Sequence, residues 1–147
     1  MKKLFVLFIL ISTTLIAQES EKRIYLPVFQ GCEDINRFDN AALRICFQEE
    51  LTKAVDKQLN HQALNFISDN SKRKKFNVKI SFMVSKDGEI TNIKNIDNGD
   101  NDFFLRVKSV MSQLHTTYKI SPAVNQEYEA VNIIFKLPIV YKYNNKD

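Results

Sequence analysis

The chain contains few glycine, proline, cysteine and histidine residues, and each shortage excludes a class of protein. Three glycines and three prolines among 147 residues, of which 44% are hydrophobic, argue against disorder and against a long linker. Cys32 and Cys46 are too far apart for a thioredoxin-like Cys-x-x-Cys site. A zinc site needs four ligands at close spacing, and only His61 and His115 could complete one, so no metal or other cofactor is expected.

The first seventeen residues have the layout of a secretory signal peptide. Lys2 and Lys3 form a positive head, residues 4–16 are mostly apolar, and Ala17 offers a cleavage point before polar residues. The apolar run is shorter than the about 20 residues that a spanning helix needs, so we expect cleavage and no stable membrane span. The mature protein is therefore expected in the periplasm, and secretion beyond the envelope stays open.

Charge and cysteine content extend this interpretation. Lys2 and Lys3 are two of the 21 basic residues, so the mature chain would keep 19 against 17 acidic residues, a net charge of +2. That balance does not indicate a nucleic-acid partner. In an oxidising compartment Cys32 and Cys46 are expected to pair, closing a loop of about 15 residues and stabilising the fold by roughly 3 kcal/mol. Free thiols or metal ligands are the alternatives.

Two amphipathic helices are predicted from apolar residues at helical spacing. The first follows Asn40, a candidate N-cap, and its stripe consists of Leu43, Phe47, Leu51, Val55 and Leu59. The second has a stripe of Phe103, Phe104, Val107, Val110, Met111 and Leu114. The polar run 97–102 before it is expected to cap this helix. An EF-hand would need a glutamate at the twelfth position, where the chain has Lys108.

Alternating apolar and polar residues predict a hairpin and a last strand. Residues 76–85 have a period of two, Asp87 and Gly88 form a turn signal, and residues 90–96 return as the partner strand. Residues 118–126 are predicted to be a loop. The last strand covers residues 131–137, an extended tail follows Pro138, and the missing N–H of Pro138 suits a sheet edge.

The order helix, hairpin, helix, strand predicts an α+β fold, in which a small antiparallel sheet packs on helices. We expect residues 18–39 to form an N-terminal extension and residues 40–147 to form the domain.

Several short motifs, each weak alone, occur in an order that resembles a known family. They are Pro-Val-Phe-Gln-Gly-Cys at 27–32, Cys46 in the first helix, Val-Ser-Lys-Asp-Gly-Glu-Ile at 84–90, Ser-Pro-Ala at 121–123 and Leu-Pro-Ile at 137–139. Together they resemble the C-terminal domain of TonB-type energy transducers, in the form common in Bacteroidetes. The chain departs from that family at Asn60-His61, where Tyr-Pro is usual, and at Lys75 and Gln126-Glu127, where Gly is usual. It also has neither an inner-membrane helix nor a Pro-rich spacer.

The resemblance implies a role in binding and, through it, in transmembrane transport. Members of that family bind the N-terminal segment of an outer-membrane receptor by adding it as a strand to a sheet edge. Carried over to this chain, the edge comprises Glu129, Ala130, Val131, Asn132, Ile133, Ile134, Phe135 and Lys136. We therefore expect an exported, non-catalytic module that binds a protein or peptide of the cell envelope.

Two alternatives remain open. The basic run of Lys72, Arg73, Lys74 and Lys75 could dock on an envelope polyanion, although four charges without interleaved aromatic residues make a weak site. A small exported hydrolase would need a base beside a nucleophile. His61 and His115 are the only histidines, and neither lies in a catalytic motif.

Overall fold

The computed structural model of the protein describes residues 23–62 and 75–142. The predicted signal peptide lies outside these residues, as do Lys72, Arg73 and Lys74 of the basic run. The described chain has two α-helices and seven strands, and it confirms the predicted α+β class.

The elements follow one another in an order that brackets each helix with strands. They are β1 (Val28–Phe29), α1 (Asn40–Gln62), β2 (Lys75–Val84), β3 (Ile90–Asn95), α2 (Asn101–Gln113), β4 (Ile120–Ser121), β5 (Ala123–Val124), β6 (Ala130–Val131) and β7 (Ile133–Lys142). A turn of 3-10 helix, Leu114–Thr116, follows α2.

The main sheet has three antiparallel strands in the order β3-β2-β7. Strand β7 pairs with β2 along all ten residues, from Lys75 opposite Lys142 to Val84 opposite Ile133. Strand β3 is shorter, and its pairing with β2 shifts register beside Asn92, which has a φ of 51°. The remaining strands form two short ladders, β1 with β4 and β5 with β6.

Both helices pack on one face of this sheet, because the strands bury every second residue. On α1, Phe47 stacks on Phe135 of β7 at a centroid distance of 4.9 Å. On α2, the ring centroid of Phe103 lies 5.7 Å from that of Phe76 of β2 and 6.4 Å from that of Tyr141 of β7. The predicted helical stripes are confirmed as core, since the apolar residues proposed for each helix are buried.

The N-cap of α1 differs from the prediction. Asp39, not Asn40, caps the helix: its Oδ1 accepts the N–H of Ala42 at 3.0 Å. Asn40 is the first helical residue, and its amide binds the N-terminal segment instead, accepting the Leu26 N–H at 3.1 Å and donating to the Ile24 carbonyl at 2.8 Å. Because Asp39 accepts the N–H of Ala42 as the cap, the side-chain amide of Asn40 is available to bind the backbone of Ile24 and Leu26.

The polar run before α2 caps that helix, as predicted. The Asp100 side chain accepts the N–H of Phe103 at 2.9 Å. Asp97 binds backbone groups: its two carboxylate oxygens accept the N–H groups of Lys79 and Gly99, each at 3.0 Å.

The predicted N-terminal extension shares the core of the domain. Leu26, Phe29 and Cys32 are all buried, and β1 pairs with β4. The Cys32–Cys46 disulfide is present, and it ties this segment to α1 as predicted. The predicted loop 118–126 contains β4 and β5, whose two-residue strands are too short to produce an alternation pattern in the sequence.

The last strand also differs in its bounds from the predicted one. It begins at Ile133, continues through Pro138 and ends at Lys142. Val131 belongs to β6, where it pairs with Ala123. The predicted strand stopped before Pro138 because a proline usually interrupts the hydrogen bonds of a ladder. Pro138 does not interrupt the ladder with β2, because its backbone points away from β2.

Candidate functional site

The long, regular edge of the main sheet is strand β7. Within residues 23–62 and 75–142, no strand pairs with β7 on the side away from β2. The other edge strand, β3, has six residues and contains the register shift beside Asn92, features that hinder pairing with a further strand. Strand β7 has ten residues in continuous register and is therefore the better template for an added strand.

The backbone direction of β7 follows from the contacts of Lys79, which lies opposite Pro138. Lys79 donates its N–H to Asp97 at 3.0 Å, and its carbonyl accepts the N–H of Ile96 at 2.9 Å. Both contacts lie on the β3 side of β2, so the backbone of Lys79 points away from β7. Lys79 and Pro138 are consequently a non-hydrogen-bonded pair, and the backbone of Pro138 points to the open edge.

Because strand backbones alternate in direction, the even-numbered residues of β7 face the open edge and the odd-numbered residues bond β2. The open edge therefore offers the N–H groups of Ile134, Lys136, Val140 and Lys142, and the carbonyl groups of these residues and of Pro138. The ladder with β2 loses no hydrogen bond at Pro138, since that position would not donate to β2. We call this row of outward backbone groups, residues 134 to 142, the open edge.

Side-chain packing holds β7 in position. The ring of Phe135 lies between those of Phe47 of α1 and Phe82 of β2, with centroid distances of 4.9 Å and 5.6 Å. Near the other end, the hydroxyl of Tyr141 donates to Asn60 Oδ1 at 2.7 Å. A strand anchored in this way loses little conformational freedom when a partner adds to it, which favours binding.

The segment that the family resemblance implied, Glu129 to Lys136, does not form one edge. Ala130 and Val131 pair with β5, and Asn132 lies between β6 and β7, where its Oδ1 accepts the N–H of Lys86 at 2.8 Å. Ile133 and Phe135 turn their backbone groups to β2, Glu129 precedes β6, and Ile134 and Lys136 lie on the open edge.

The other half of the open edge was missed by sequence reasoning. It comprises Pro138, Val140 and Lys142. The signal that could have found it is the alternation of Leu137, Ile139 and Tyr141 across the proline, since all three side chains are buried.

The residues of the two alternative sites are dispersed or lie outside the described part. Lys75 is exposed at the start of β2, and Lys72, Arg73 and Lys74 lie outside the described residues. His115 is exposed in the 3-10 turn, and the side chain of His61 lies outside the description. No group of three or more potential metal-ligating side chains occurs within the described residues.

A small pocket lies between α1 and the end of α2. Its volume is about 50 Å³, and it is lined by Gln58, Val110, Gln113, Leu114, Thr116 and Thr117. Small-molecule sites usually have volumes of about 300–1,000 Å³, and neither a carboxylate nor a histidine lines this pocket. It therefore offers no site for acid–base chemistry.

Asp56 on α1 is a charged group in an unfavourable position. Partial burial raises the pKa of its carboxyl group by desolvation. Its Oδ1 is buried and finds no hydrogen-bond donor among the described residues. A partly buried carboxylate with one oxygen that lacks a donor destabilises the folded state when it is ionised, so Asp56 matters for stability and its pH dependence.

The described residues form a small α+β domain in which β7 is a long, regular edge of the main sheet. No family model, curated protein or solved structure matches this sequence or its structure. The similarity to TonB C-terminal domains therefore remains a prediction. Among the described helices, none combines the length and the apolar character that crossing a membrane requires.

Proposed function

We propose that this protein is an exported, non-catalytic interaction module that binds an extended polypeptide segment of a cell-envelope protein along the open edge. The observation that carries the proposal is the ten-residue register of β7, with one side bonded to β2 and the other bearing outward N–H and carbonyl groups. The TonB-like motifs support an outer-membrane receptor segment as the partner.

The chemistry of strand addition fits this edge. Backbone hydrogen bonds supply a pairing that depends little on sequence, and the side chains beside them supply selectivity. Pro138 withholds one donor in the middle of the edge, and Lys136 and Lys142 place charges beside it. Both features are known to limit uncontrolled edge-to-edge association. The open edge is thus suited to a specific partner.

The proposal is tested with a matched pair of variants at Ile134, whose side chain is 67% exposed. Ile134→Pro removes an outward N–H that takes no part in the ladder with β2. Ile134→Thr removes the same apolar surface and keeps that N–H. A peptide selected from a random linear library on the wild-type protein should lose binding to Ile134→Pro and retain it with Ile134→Thr.

Amide hydrogen exchange of the complex gives an independent measurement. The bound peptide should slow exchange at Ile134, Lys136, Val140 and Lys142. The odd-numbered amides of β7 should already be protected without peptide, because they bond β2. Equal binding by both Ile134 variants, or protection confined to other strands, would contradict strand addition at this edge.

A further inference from the structure

The three strands of the main sheet collect five lysines on the face opposite the helices. Lys75 and Lys142 are directly paired across β2 and β7. Lys136 pairs with Ser81, which in turn pairs with Lys94 of β3, and Lys79 lies opposite Pro138. All five side chains are exposed. We call these residues the lysine face.

No acidic residue balances this charge within the sheet. Strands β2, β3 and β7 contain no aspartate or glutamate. In the described part of the chain, none of the five lysines has a carboxylate partner within salt-bridge distance. The lysine face is therefore a positive surface on a domain whose overall charge is nearly balanced.

Two of these lysines belong to the open edge itself. Lys136 and Lys142 lie six residues apart on β7, and their side chains share the outer face with Ile134 and Val140. In a paired strand, directly opposite residues project to the same face. A strand added to the open edge would therefore place alternate side chains, counted from Lys142 back to Ile134, beside a basic residue, an apolar residue, a proline, a basic residue and an apolar residue.

Resting on the proposed function, we propose that the segment bound at the open edge is acidic, with two carboxylate side chains six residues apart that lie opposite Lys142 and Lys136. In the antiparallel orientation of this sheet, counting the residue opposite Lys142 as position 1, the carboxylates occupy positions 1 and 7. Apolar side chains occupy positions 3 and 9, opposite Val140 and Ile134.

Charge complementarity selects this occupant over a second copy of the chain. Two copies joined edge to edge would merge their lysine faces and bring like charges onto one surface, which opposes pairing. The exposed apolar side chains of Ile134 and Val140 favour a polypeptide over a phosphate group, since each lies two residues from a lysine on the same face of the strand.

The test uses three synthetic nine-residue peptides with valine at positions 3 and 9 and threonine elsewhere, except for positions 1 and 7. Those two positions carry glutamate, glutamine or lysine. Wild-type protein should bind the glutamate peptide about tenfold more tightly than the glutamine peptide at low salt. The difference should shrink at high salt, because exposed charges are screened.

Charge reversal at the edge should reverse the preference. The double variant Lys136→Glu with Lys142→Glu should favour the lysine peptide. The control double variant Lys57→Glu with Lys108→Glu changes the net charge equally, on exposed positions of α1 and α2 away from the lysine face, and should keep the preference of the wild type. Lys108 is an exposed residue of α2.

Each failure has a distinct meaning. Equal binding of the glutamate and glutamine peptides would overturn the acidic preference and leave strand addition intact. Absence of binding by all three peptides would overturn the proposed function as well. Displacement of the glutamate peptide by phosphatidylglycerol vesicles, with equal effects of both double variants, would overturn the peptide assignment in favour of a membrane surface.

Discussion

Alanine at Gly88 should destabilise the protein more than alanine at Gly31, although both glycines have a positive φ. Gly88 has a φ of 81° in the turn between β2 and β3, and Gly31 has a φ of 98° beside the disulfide. A Cβ atom at Gly88 would lie well inside van der Waals contact of the Ile120 carbonyl oxygen. A Cβ atom at Gly31 would meet only the Glu50 side chain, at 3.6 Å.

The two substitutions separate backbone strain from a steric clash. An L side chain in the left-handed region costs about 1–2 kcal/mol, and this cost applies at both positions. Overpacking against a fixed neighbour costs a further about 1–3 kcal/mol, and it applies at Gly88, where the neighbour is the backbone of β4. We therefore expect the free energy of unfolding to fall by about 1–2 kcal/mol for Gly31→Ala and by about 2–5 kcal/mol for Gly88→Ala.

Thermal unfolding followed by circular dichroism measures this difference. A gap of about 1–3 kcal/mol between the variants corresponds to a Tm difference on the order of 5–15 °C for a domain of this size. Urea titrations of both variants, with unchanged slopes, would show that the effect lies in stability. Equal losses at the two positions would refute the close packing of the hairpin turn on β4.

Two further predictions concern the disulfide and Asp56. Replacing Cys32 and Cys46 by serine should lower the free energy of unfolding by about 3 kcal/mol, since the bridge spans 14 positions; an unchanged urea midpoint would contradict this. Asp56→Asn should stabilise the protein at neutral pH, because burial raises the pKa of Asp56 and penalises its charged form. The folded state then binds the proton more tightly, so the advantage of the variant should decline as the pH falls from the raised pKa towards about 3.9. A Tm difference independent of pH would be inconsistent with that cause.

Local patterns predicted the longest elements well. The two-residue period of β2 and the four-residue steps of α1 each reflect one buried face, and a buried face is a property of a single segment. The capping of α2 by the polar run before it could also be predicted from the sequence, because the Asp100 side chain accepts the N–H of Phe103, only three residues away.

Periodicity could not predict the two-residue strands or the exact N-cap residue of α1. Strands β1, β4, β5 and β6 have two residues each, so their existence depends on a partner that is distant in the chain. Two adjacent polar residues, Asp39 and Asn40, could equally cap α1. The choice between them depends on Ile24 and Leu26, which occupy the amide of Asn40.

The candidate site shows the same division. The alternation of the last strand indicated which of its side chains are buried. It did not indicate which of its backbone groups form hydrogen bonds with a neighbouring strand. The direction of the Pro138 backbone follows from the contacts of Lys79 with Asp97 and Ile96 across the sheet. The segment inferred from the family resemblance spans β6, the break at Asn132 and the start of β7, because the contact of Asn132 with Lys86 joins residues that are far apart in the chain.

The sequence by itself determined which residues prefer the core and where two helices and the hairpin form. These outcomes depend on periodicity and on local chemistry. Only the tertiary structure decided that β2 lies in the centre and β7 at the edge. It alone brought Lys75, Lys94 and Lys136 onto one face, because strand order and register are set by contacts between segments far apart in the chain.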